Sequence, residues 1–177
     1  MATFSFTELL NHKCWHNIRA PKDAQGNYNP YQKIAKCSGI YKVYISADDI
    51  DNIRILENVY TKNNVRLDTQ NAQVLRTIFD KNVQIDKVRK ENKHVIYIGK
   101  AENLRRRIKQ YMRTVYGGKN HKGGIDIWAI DNYEKYLHID VFPLGYNAPT
   151  ARDWEKKEID EFKQHHKQNR PMANRQD

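Results

Sequence analysis

Apolar residues along this chain repeat with two different periods, and clusters of Gly, Pro, Asn and Asp separate the stretches that carry them. Ser5-Phe6-Thr7-Glu8 has the form of a capping box. Phe6, Leu9, Leu10 and Cys14 follow at helical spacing, which predicts a first helix over 5–18. Pro21, Gly26, Asn27, Asn29 and Pro30 then predict a loop. Ile40 to Ile45 is rich in β-branched and aromatic residues and reads as a strand that Asp48, Asp49 and Asp51 end. Residues 50–83 read as helix in two pieces. Ile53, Leu56 and Tyr60 mark one face, and Val74, Leu75, Ile78 and Phe79 mark another, with Asp68 or Thr69 as the cap.

The second half is more regular. His94 to Ile98 reads as a strand closed by Gly99. Leu104, Ile108, Tyr111 and Val115 share one face of a helix predicted over 102–115. Four glycines between 117 and 124 predict a loop, and Ile125 to Ile130 fits a strand or a short helix equally. Leu137 to Phe142 alternates strictly and reads as a third strand. Pro149 and Thr150 precede a helix predicted over 151–168, with Trp154, Ile159 and Phe162 facing inward, and the tail from Asn169 is polar.

Composition narrows the classes of function. The 177 residues suit one domain with a core of its own, and two cysteines exclude a disulfide framework and fit a reducing, cytoplasmic setting. Nowhere do about 18 apolar residues run together, and the first residues lack the basic and apolar regions of a secretory signal, so no membrane span is expected. The formal charge is +10 and is concentrated: residues 86–124 hold twelve Lys and Arg against three acids, a net +9. Such a basic segment in a near-neutral protein is the footprint of phosphate-backbone binding, so the expected partner is DNA. Binding to an anionic membrane surface is disfavoured, because no basic stretch also presents a broad apolar face with Trp and Phe.

Two predicted strands each carry a Tyr near a Gly: Gly39-Ile40-Tyr41 and Tyr97-Ile98-Gly99. Lys100-Ala101-Glu102-Asn103-Leu104-Arg105-Arg106-Arg107 follows the second, and an acidic helix follows later. In this order the sequence resembles the GIY-YIG nuclease superfamily. The second motif is closest to the incision subunit of bacterial excision repair and to some phage endonucleases. The resemblance covers roughly 38–46 and 94–170 and implies an α/β fold of the α+β kind. That fold is a small, mainly antiparallel three-stranded sheet flanked by helices. The chain would add an N-terminal arm over 1–36 and a helical insert over 47–92 between the two motif strands.

The implied activity is metal-dependent hydrolysis of DNA phosphodiester bonds, with Mg²⁺ or Mn²⁺. A restriction-type enzyme is favoured over a repair or homing nuclease, because the arm and insert are the places from which target readout would come. The resemblance makes Tyr41 the favoured base, Tyr97 a positioning group and Arg107, ten residues after Tyr97, the catalytic arginine. It makes Glu155 the metal carboxylate, with Glu158 as the alternative, and points to Asn174 near the end. The residue types suit the chemistry. An Arg presents a planar donor fork to two phosphate oxygens, and a Tyr takes a proton from water only if its pKa, ordinarily about 10, is lowered. Lys100 and the metal are the groups expected to lower it. Arg105, Arg106, Lys109, Arg113, Lys119 and Lys122 are expected on the DNA backbone.

His121-Lys122-Gly123-Gly124 fits either a backbone phosphate cradle or a plain loop. His12, Cys14 and His16 alternate, but the predicted helix splits them over two faces, so no zinc site is expected, and His165-His166 reads as surface. The rival to an enzyme is an inert nucleic-acid-binding protein that keeps the fold. The sequence is compatible with a monomer and with a homodimer.

Overall fold

The computed structural model describes residues 1–11, 22, 26, 28–118, 121, 123–145 and 148–175. His12, Cys14 and His16, at which no zinc site is expected, and Lys119 and Lys122 fall outside them. A mixed α/β architecture surrounds an open antiparallel sheet of four strands: β1 (Ala2–Ser5), β2 (Gly39–Ser46), β3 (Lys93–Ala101) and β4 (Leu137–Pro143), in the order β1-β4-β2-β3. Three strands lie where the alternation placed them. The fourth, β1, corrects the three-stranded expectation. Ala2 to Ser5 pairs with Val141 to His138 and extends the sheet at the edge away from the motif strands.

Helix α1 (Phe6–Asn11) begins at the predicted box, where the Glu8 amide donates to Ser5 Oγ at 3.1 Å. Phe6, Leu9 and Leu10 are buried, and Tyr31 Oη donates to the Leu9 carbonyl at 2.9 Å, tying the arm down. Helix α2 (Ala72–Arg89) is capped by Asn71, whose side chain accepts from the amides of Gln73 and Val74. Helix α3 (Leu104–Arg113) is capped by Asn103, a four-residue turn α4 (Tyr133–Tyr136) precedes β4, and α5 (Ala151–His165) is capped by Thr150. Among the described residues no helix is long and apolar enough to cross a membrane.

The first helical piece expected in the insert is absent. A single 3-10 turn (Ala47–Asn52) leads into extended chain with bridges Ile55↔Ile130 and Tyr60↔Arg66. The reason is local. Asn64 sits at φ 59°, and Thr61 Oγ1 accepts from the amides of Asn63 and Val65, so this stretch makes a turn between β-branched residues. Ile53, Val59 and Leu67 are buried, whereas Leu56 and Tyr60 are exposed.

Arm, insert and motif strands share one core. Phe4, Phe6, Leu9 and Ile34 of the arm and Ile50, Val59, Leu75 and Phe79 of the insert pack in the same cluster as Tyr41, Ile108 and Trp128. Helix α5 covers the other sheet face with a smaller group, Ile98, Ile159 and Phe162. His166, expected on the surface, is buried. Its ring stacks on Phe162 at 3.7 Å, and its Nε2 lies 2.7 Å from Asp86, which also holds His94. These contacts join α2, β3 and the end of α5, and the two histidines hold the Asp86 carboxyl below its usual range despite its burial.

Candidate active site

Strands β2 and β3 are antiparallel neighbours, with Tyr41 opposite Gly99 and Val43 opposite Tyr97. The register slips between Val43 and Tyr44, leaving Ile96 as an extra residue, so that Ile96 and Tyr97 both enter the main core. This bulge aims Tyr97 toward Tyr41, and the rings lie 5.8 Å apart at 54°. The glycines of both tripeptides have packing reasons. A Cβ on Gly99 would lie 2.6 Å from Tyr41 Cζ and 2.8 Å from Tyr97 Cε1. One on Gly39 would lie 2.3 Å from the Phe142 carbonyl oxygen and 2.6 Å from Leu104.

Asn174 fixes β3 from outside. Its side-chain oxygen accepts from the Ile98 amide at 2.9 Å, and its amide donates to the Ile98 carbonyl at 2.8 Å. Next to it, the Ala173 amide donates to the Ile96 carbonyl at 2.8 Å. Asn174 is therefore a positioning residue for the strand that carries Tyr97.

Arg107 stands on α3 between Leu104 and Ile108, whose burial fixes the helix against the sheet. Its Nε is buried without a hydrogen-bond partner, and no carboxylate pairs with it among the described residues. The guanidinium bears instead on the Tyr41 hydroxyl, by its charge and by a hydrogen bond. Burial pushes the Tyr41 hydroxyl up to about 12, and the charge of Arg107 is the largest influence pulling it down. Burial also holds Tyr97 and Tyr111 well above the usual tyrosine value. All three are protonated at neutral pH. The expected lowering by Lys100 is not found, because Lys100 leaves the opposite sheet face and pairs with Glu155.

The sequence offers His121 only as part of a backbone cradle or a loop, and sequence reasoning missed the role of its side chain. Its Nε2 lies 3.1 Å from Tyr41 Oη, and its Nδ1 faces the Gly123 carbonyl oxygen. The carbonyl can only accept, so Nδ1 carries the proton and Nε2 is left to accept from the Tyr41 hydroxyl. Burial, then the nearby Arg107 charge, pushes the His121 pKa down to about 4, so the ring is neutral at pH 7. The ring also packs edge-on against Tyr111 at 4.9 Å. A lone His among glycines has no periodic signal; only the fold brings residues 41 and 121 together.

A cleft of about 830 Å³ opens beside this group, lined in part by Lys100, Arg106, Arg107 and Arg152 and by the amino ends of α3 and α5. Glu155 and Glu158 are separated by their partners. Glu158 accepts from Lys42 and, at 2.9 Å, from Trp154 Nε1, whereas among the described residues Glu155 engages only Lys100 and through one oxygen. Among the described residues no three His, Cys, Asp or Glu side chains converge as metal ligands. Glu155 with one oxygen free is a single hard donor, and that fits a Mg²⁺ ion whose other ligands are water and substrate phosphate.

Arg105 corrects an expectation. Its guanidinium donates to the Ile34 carbonyl, the Gln32 side chain and the Gln32 carbonyl, each at 2.8 Å, so its donors are taken up in stapling the arm to α3. Arg106 and Arg113 are exposed, and Lys109 is half-buried. No protein-family model, curated protein or solved structure matches the chain.

Proposed function

We propose that the protein is a metal-dependent DNA endonuclease of the GIY-YIG type, restriction-like in using its own insert for target choice and working in a reducing, cytoplasmic setting. The observation that carries this reading is Arg107: a cation with a buried, unpartnered Nε beside two tyrosines and a neutral histidine. That arrangement suits a phosphodiester. The Arg107 fork takes two phosphate oxygens and meets the charge that grows on them in the transition state. Water attacks phosphorus as the bond to the leaving sugar oxygen breaks. The water proton passes to the Tyr41 oxygen while the Tyr41 proton passes to His121 Nε2. The final acceptor is thus a neutral imidazole, and no phenolate has to exist beforehand. Phosphate on Arg107 also offsets the charge that disfavours an imidazolium at His121. Tyr41 is fully enclosed, so the proton transfer requires the site to open at the Tyr41 hydroxyl when the substrate and its water enter. The leaving oxygen takes its proton from solvent at the mouth of the cleft. Glu155 would hold the metal, which when bound supplies a Lewis acid to the phosphate.

The test is incubation of the full chain with supercoiled plasmid in Mg²⁺, in Mn²⁺ and in EDTA, with the Arg107→Ala variant alongside. Nicked or linear product is expected with metal and not with EDTA. The variant should lose roughly 10²–10³-fold in rate, as when one donor to a developing oxyanion is removed. An intact plasmid in every condition, with DNA still bound, would instead support an inert binding protein.

A further inference from the structure

The insert contains a cleft of about 870 Å³ separate from the tyrosine site, and residues 54–76 alone line it. Five of its polar side chains make no bond among the described residues, while Asn71, Arg76 and the backbone are held. Arg54, Asn58, Arg66, Gln70 and Gln73 make no side-chain hydrogen bond or ion pair among the described residues. Beneath them Asp126 is fully buried and accepts from the Gln70 amide at 2.7 Å and from Arg175 Nε at 2.8 Å. Arg175 also donates to the Asp68 carbonyl at 2.6 Å, and Arg76 to the Ile53 carbonyl at 2.9 Å. Ile55, Leu67 and Ala72 supply its apolar lining, and the exposed Leu56, Tyr60, Val65 and Val74 lie in the same stretch of chain but outside that lining.

We infer that this cleft reads base edges in the major groove of duplex DNA and sets the sequence preference of the nuclease proposed above, on which the inference rests. The chemistry is that of base readout and not of backbone attraction. Arg pairs its fork with guanine, and Gln or Asn pairs with adenine, whereas apolar groups meet the thymine methyl. Backbone-binding surfaces are dominated by cations, yet here Glu57 and Asp68 offset two of the arginines. A fixed floor keeps these free side chains in register. That floor is continuous with the catalytic group: Asp126 follows two residues after Gly124, where a Cβ would lie 3.0 Å from Tyr97 Cζ. The unpaired state of five polar side chains is then the open half of a hydrogen-bonded contact.

The experiment is selection of bound duplexes from a randomised library by the full chain in EDTA, which uncouples binding from cleavage. It compares the natural chain with the Arg66→Ala/Gln73→Ala double variant and with Gln73→Glu. The natural chain should enrich a motif. The double variant should lose preference at one or two positions by about 10- to 100-fold, while binding random duplex nearly as well. Gln73→Glu, an exposed change that keeps the fold, should exchange one base preference for another. Thermal melts within 2 °C of the natural chain, about the shift of a small stability change, establish that the variants are folded. The same motif from all three proteins, or DNA binding with no motif, would overturn the inference and leave the nuclease reading intact. Absence of any DNA binding by the natural chain would overturn both.

Discussion

Replacing Gly99 by alanine tests the geometry of the tyrosine pair without assuming any activity. The added Cβ would stand 2.6 Å from Tyr41 Cζ, 2.7 Å from its hydroxyl and 2.8 Å from Tyr97 Cε1. Ordinary carbon contacts begin near 3.5 Å, so about 1 Å of movement is required. Neither ring has room for it. Tyr41 is fully buried and packs on Tyr97 and Tyr111, and its backbone is paired with that of Gly99 itself. Overpacking of this kind costs about 1–3 kcal/mol, and two rigid rings place Gly99→Ala near the upper end. With a urea slope of about 2 kcal/mol per molar, the unfolding midpoint should fall by about 1–1.5 M. Near-ultraviolet dichroism, dominated by packed aromatics, should weaken with it. Gly145→Ala, where a Cβ meets nothing within 4 Å, is the control. A Gly99→Ala midpoint equal to that control would show that the two tyrosines do not face each other across residue 99, and the candidate site would lose its foundation.

Arg105→Ala should lower the melting temperature by about 5–10 °C, because three bonds from a charged donor are lost at about 2–3 kcal/mol in all, and DNA affinity should hardly change. Arg106→Ala should do the reverse in binding and melting assays. Glu155→Gln should abolish cleavage while sparing DNA binding. Glu158→Gln, which weakens the hold on Lys42 and Trp154, should cost about 1–2 kcal/mol in stability and retain cleavage; the opposite pattern would move the metal carboxylate one turn along α5. Stability should fall on both sides of neutrality. The His121 value is lowered to about 4, so its contribution is present above about 6.5 and is lost as pH falls from there toward 4, a change of about 3 kcal/mol that His121→Gln should remove. Tyr41 is raised to about 12, so its contribution is present below about 10 and is lost as pH rises from 10 to 12, again about 3 kcal/mol, and Tyr41→Phe should blunt that limb in urea titrations.

The parts of the fold visible in the sequence are those whose periodicity runs long enough to identify the element. The alternation in β4 and the buried face of α3 are of this kind, and the ordered Tyr and Gly residues anticipated two adjacent strands. Strand β1 was hidden because four residues leading into a capping box carry too little alternation to declare a strand. In the insert, Ile53, Leu56 and Tyr60 mimic one face of a helix, although the pair Asn63-Asn64 between Thr61 and Val65 already signalled a turn. Within the candidate site, nothing local marks His121 or the bulge at Ile96, since both depend on contacts across distant segments. The buried His166 had a signal that went unused: Phe162 lies four residues earlier, on the same helical face.

The clasp by Ala173, Asn174 and Arg175 also orders events during protein synthesis. Strand β3 ends at Ala101, but the Ile96 carbonyl and both backbone groups of Ile98 find their partners only when residues 173 and 174 have been made. At roughly 5–20 residues per second, about 4–15 s separate Ala101 from Asn174. During that interval the emerging polypeptide has the Tyr97 strand but not the bonds that hold its bulge, and Asp126 is still without Arg175. A ribosome-bound chain therefore carries Tyr41, Tyr97 and Arg107 in an unfinished arrangement until residues 173–175 have been made.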